Sequence, residues 1–218
     1  MTQIQRASMV LTLLALTAST PGLAQERPSA SPSREGITVH GHWVIQVENP
    51  DGTVVTRLEF QNALLNTGRG LLAAVLGHES SVGWWRINLQ NSTPSGSNGG
   101  PCTFNGAEAS CDIWENVPNF NPEASRNFKT LNVSVPKDTN GFATGSLELS
   151  GSITASQTSG IGYVTTSFRY CLASVSPQAC STNQAGSGEA PLTSKQLPSS
   201  IPVAAGQVVR VWVTLSFS

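Results

Sequence analysis

Three histidines, a group of loop carboxylates and four cysteines carry most of the chemical reach of this chain. His40 and His42 lie two apart in a strand-like run, so both project to one face. That spacing makes half a metal site, and His78 would have to complete it from beyond a helix. The simpler reading is a pair of strand histidines on a solvated face, so no metal ligand is assigned. Glu108, Asp112 and Glu115 cluster in GAEASCDIWE beside Trp114. A glycosidase needs two carboxylates of different pKa across a cleft. Acids on a surface loop are more simply solvated, and Gly-x-Ser-x-Gly does not occur. No catalytic residue and no cofactor are therefore expected. Glu48, Asn49 and Asp51 in ENPDG offer three oxygen ligands where a hard cation takes about six to eight. Pro50 and Gly52 read instead as turn residues.

Cys102, Cys111, Cys171 and Cys180 are even in number, which in an exported chain points to disulfides. Three connectivities are open. The pairing 102–111 with 171–180 is favoured because each bond closes a short loop rich in turn formers. Zinc would call for tighter Cys-x-x-Cys pairs. Trp84 and Trp85 are adjacent in a strand and must face opposite sides. Trp85, Trp114 and Trp212 are candidate contacts for a ligand or partner, since an exposed indole stacks on a sugar ring or buries in a protein. The competing reading is a second core beneath the helix or the long loop.

The elements that position these residues are mostly strands. Trp43, Ile45 and Val47 alternate with polar neighbours, as do Val54, Thr56, Leu58 and Phe60 beyond the turn. Pro-Asp-Gly favours a three-residue loop, which would put the two apolar sets on opposite faces. The face pattern involves seven side chains and is preferred over the turn. Leu71, Leu72, Val75 and Leu76 recur at helical spacing, predicting one helix near 67–77. Asn66 or Thr67 would start it, Gly77 would end it in a left-handed conformation, and Gly68 and Gly70 would weaken its first turn. WWRINLQ (84–90) is a strand. Residues 91–126 have no sustained period and read as a long loop stapled by Cys102–Cys111. Strands return at 128–136, 144–156, 160–173, near 192–197 and at 206–218. Regular short strands with turn signals predict an antiparallel β-sandwich of about 7–9 strands.

The start of the chain reads as an export signal: Arg6, an apolar run from Met9 to Ala18, then Pro21-Gly22-Leu23-Ala24 with cleavage after Ala24. The run is too short to anchor in a bilayer. Residues 25–35 are Pro- and Ser-rich and read as a tether, leaving 36–218 as one domain. With 12 Lys and Arg against 13 Asp and Glu there is no basic face for nucleic acid or anionic lipid. The compartment expected is extracellular or cell surface, with the periplasm as the alternative.

LEFQNALLNTGRGLLAAVLG followed by WWRINLQ, and the closing IPVAAGQVVRVWVTLSFS, resemble segments of phage tail and tail-fibre-like β-sandwich modules. The likeness covers about 40 residues at the two ends of the domain and includes no catalytic residue. It implies a structural or adhesive β module. The expected function is a non-enzymatic exported structural or adhesion module, part of a surface assembly or self-associating through strand edges. A carbohydrate-binding module using exposed tryptophans is the alternative, and a glycoside hydrolase-like enzyme using the 108–115 acids is the weaker one.

Overall fold

The first hairpin satisfies both of the conflicting sequence signals. Strand β1 (Val39–Glu48) pairs antiparallel with β2 (Val54–Ala63). At the turn, Gly52 N–H donates to Asn49 O (2.9 Å), Asn49 N–H donates to Thr53 O (2.9 Å), and Gly52 has φ 86°. This is the three-residue Pro-Asp-Gly loop. Glu48 then pairs with Val54 but Val47 pairs with Thr56, leaving Val55 as a bulge. One extra residue inverts the alternation. Trp43 therefore lies opposite Phe60 and stacks on it at 5.8 Å, and Ile45 lies opposite Leu58.

This computed structural model describes residues 38–91, 110–115, 117, 130–182 and 188–218. The remaining strands are β3 (Ser80–Gln90), β4 (Ser110–Trp114), β5 (Asn132–Ser134), β6 (Ser146–Thr154), β7 (Ser159–Leu172), β8 (Gly188–Val203) and β9 (Val208–Phe217). They form two antiparallel sheets, ordered β2-β1-β9-β6-β5 and β4-β3-β7-β8. The inner faces bury Ile45, Val47, Ile87, Ile113, Leu149, Phe168, Val211 and Leu215 among others. Within that apolar layer the hydroxyls of Thr166 and Thr193 bond to each other at 2.7 Å, so neither is left unpaired. Single bridges join neighbouring sheet edges, Leu64 to Thr193 on one side and Glu115 to Leu131 on the other.

Helix α1 (Asn66–Leu76) begins one residue earlier than expected. Leu65 is its N-cap, without a side-chain cap bond, so neither Asn66 nor Thr67 caps it. Thr67 Oγ1 instead donates to Pro191 O (3.2 Å). At the other end Gly77 has φ −77°, and His78 takes the left-handed conformation at φ 59°.

Several elements differ from the sequence reading: β3 starts at Ser80 where a start at Trp84 was expected, and of the strand expected at 128–136 the described part is only Asn132–Ser134. SCDIW forms β4 inside the run read as loop. The short strand expected near 192–197 spans Gly188–Val203. A second helix, α2 (Pro177–Ser181), is too short to show a period; Ser176 caps it by accepting Ala179 N–H at 3.3 Å. The Cys171–Cys180 disulfide ties α2 to β7. Cys111 is also disulfide-bonded, whereas Cys102, and with it the 102–111 pairing, lies outside the described residues.

Candidate functional site

The outer face of the five-stranded sheet is built by the alternation of β9. Val209, Val211, Val213 and Leu215 are buried, which turns Arg210, Trp212, Thr214 and Ser216 outward. β9 is the central strand, so Trp212 sits mid-face, between Val44 of β1 and Ser150 of β6. It is 38% exposed. A shallow hollow of about 150 Å³ adjoins it, lined by Thr130, Asn132, Ser150, Ser152 and Arg210. Arg210 is held in place: its Nε donates to Glu48 Oε2 (2.8 Å), while Glu48 Oε1 accepts from Gln46 Nε2 (2.7 Å). The hydrogen bond from Arg210 pulls the Glu48 pKa below the ordinary glutamate value. One face thus presents an apolar ring, a fixed guanidinium and several hydroxyl and amide groups.

The other two candidate tryptophans are placed differently. Trp85 faces inward, half-buried against Phe168 at 5.1 Å. Trp114 is 9% exposed and meets Trp84 edge to face at 4.5 Å, with Val117 against them. That pair is a second small core on the outer side of the four-stranded sheet.

Beside it Arg86 stacks on Trp114 at 4.9 Å and is surrounded by acceptors. It pairs with Asp112 (3.3 Å) and Glu189 and bonds Ser167 Oγ (3.1 Å). Asp112 also accepts from Asn88. The groove here, about 420 Å³, includes Asn88, Gln90, Tyr163, Thr165 and Ser194. Its central charge is already neutralised by two carboxylates, so the cluster acts as a brace across β3, β4, β7 and β8.

Of the three loop acids, Glu108 lies outside the described residues. Asp112 is bound by Arg86 and Asn88, while Glu115 Oε2 accepts Trp85 N–H (2.9 Å). Burial raises the Glu115 pKa, and the Trp85 hydrogen bond opposes that rise. The two described acids are thus committed to different partners. His42 pairs with Glu59 at 2.8 Å. The oxygens of the 48–51 turn are also engaged: Asn49 Oδ1 accepts from Gln207 (2.9 Å) and Asp51 Oδ1 from Thr53 N–H (2.9 Å).

Sequence reading passed over Arg210 and Phe142. Phe142 stands on a tight turn between β5 and β6, 72% exposed. Asp138 fixes that turn by accepting the backbone N–H of Asn140 (2.9 Å) and Phe142 (2.8 Å), and the only sequence signal was Asp-Thr-Asn-Gly.

Comparison with family models, characterised proteins and solved structures gives no match.

Proposed function

We propose that the protein is an exported, non-enzymatic adhesion module that holds carbohydrate on the outer face of its five-stranded sheet. The observation that carries this reading is Trp212, the most exposed of the five tryptophans, at the centre of a rigid polar face. An indole offers a flat apolar surface to the C–H face of a sugar, and its neighbours bond the hydroxyls. Arg210, Asn132, Ser150 and Ser152 are placed for that second task. The near-neutral charge suits a neutral glycan better than a polyanion. The Cys171–Cys180 disulfide supports an oxidising compartment. No described helix is long and apolar enough to cross a membrane. A glycan array, followed by calorimetry on any hit, tests the proposal. Trp212→Ala should weaken binding by about three- to tenfold, the scale of losing one stacking contact, with the melting temperature little changed. Absence of any glycan hit, or equal binding by the variant, would sink it.

Self-association in a surface assembly is favoured by a different observation, the knob of Phe142 on its rigid turn. Exposed aromatics on fixed backbone are typical anchors of protein interfaces. Light scattering should then show oligomers that Phe142→Ser converts to monomer; a strict monomer at high concentration would count against it.

A further inference from the structure

Among the described residues, helix α1 lies over the end of the sandwich without closing it. Leu71, Leu72 and Val75 are only half-buried, and Leu76 is 66% exposed. Between this helix and the paired ends of β1 and β9 runs an apolar cleft of about 680 Å³. Leu64, Leu72, Val75 and Leu76 line one side and Val39 and Phe217 the other.

The helix cannot roll inward to fill the cleft. Gly68 lies directly on β8, where a β-carbon would meet Leu192 O at 2.6 Å. Leu65 N–H donates to Leu192 O (2.9 Å), and Thr67 bonds Pro191 O. These contacts fix the first turn of α1, so the opening is part of the folded shape. Among the described residues the lining holds one ionisable side chain, Arg69, and one small polar residue, Ser218 beside Phe217. Among the described residues no carboxylate pairs with it.

We propose that this cleft binds a long-chain carboxylic acid, with the acyl chain along Leu72, Val75 and Phe217 and the carboxylate on Arg69. The volume falls in the range of about 300–1,000 Å³ usual for small-molecule sites. The lining is mainly aliphatic, which suits a flexible unbranched chain. With no carboxylate partner among the described residues, the Arg69 guanidinium supplies the complementary charge, and arginine binds carboxylate through two parallel hydrogen bonds. This site is distinct from the Trp212 face, so either reading can fail without the other.

The test uses the full chain and cis-parinaric acid, a fatty acid whose fluorescence rises on leaving water. One equivalent should bind, and palmitate should displace it. Arg69→Gln should weaken palmitate about tenfold, the effect of losing one charge-assisted contact, and leave hexadecanol unchanged. Val75→Trp should block the cleft and reduce both ligands at least tenfold, while glycan binding through Trp212 is retained. No fluorescence rise with the wild-type chain would overturn the proposal, as would binding that survives both substitutions. A dimer that forms through α1 and dissociates on no addition of palmitate would also overturn it, by assigning the cleft to a second copy.

Discussion

At the scale of single residues, two glutamates respond to pH in opposite ways. Glu48 has a depressed pKa because Arg210 bonds its charged form. Its contribution to stability is complete above the ordinary glutamate pKa and is lost as pH falls through the depressed value. Arg210→Met should therefore flatten the acid limb of a plot of urea midpoint against pH. Glu115 is raised by burial, so the folded state holds its proton longer than the unfolded chain does. Stability from this group falls as pH rises from the ordinary value through the raised one. Glu115→Gln keeps an acceptor for Trp85 N–H without the charge. It should raise the urea midpoint at neutral pH, with the gain vanishing below about pH 4. The outward placement of Trp212 was legible in the alternation of β9. The fate of Trp114 was not, because the Trp84 ring that covers it comes from a different strand.

Among the elements, α1 separates two glycines that look alike in sequence. Both were expected to weaken the helix. Gly70 faces open space, and Gly70→Ala should stabilise by about 0.5–1 kcal/mol through helix propensity. Gly68 is pressed on Leu192, and Gly68→Ala should destabilise by about 1–3 kcal/mol, as overpacking does. Thermal or urea unfolding of the two variants gives the contrast in sign. Periodicity found α1 and most of the long strands because each has enough residues to repeat, but it caught only the middle of the 16-residue β8, whose pattern is interrupted by Pro191, Pro198 and Pro202. β4 and α2 have five residues each, less than a period test needs. The signals they do carry are local, such as the Ser-Pro start of α2.

For the whole molecule, the apolar alternation was enough to give two layers, but not the order of strands within them. That order depends on pairings between distant segments, such as β1 with β9. The bridges between sheet edges also bear on assembly. Lys195 Nζ donates to Gln61 O (2.8 Å), placing a charged side chain against the β2 edge. Such a lysine discourages strand addition by another chain at that edge. Replacing Cys171 and Cys180 together by serine removes this bond alone and should lower global stability by about 2–3 kcal/mol, the chain-entropy value for so short a loop, as measured by urea unfolding of the variant against the parent chain.

The unpaired Val55 gives the hairpin a tolerance of a different kind. A strand keeps its two faces by parity, so losing one residue normally turns every later side chain over. Val55 is counted on neither side of the ladder. A chain lacking it would keep Thr56, Leu58 and Phe60 in phase with Val47, Ile45 and Trp43. Loss of Arg57 instead would carry Thr56 and its predecessors out of phase with the strand beyond. The bulge is thus a position where the length of this chain can change by one without rewriting which residues meet inside.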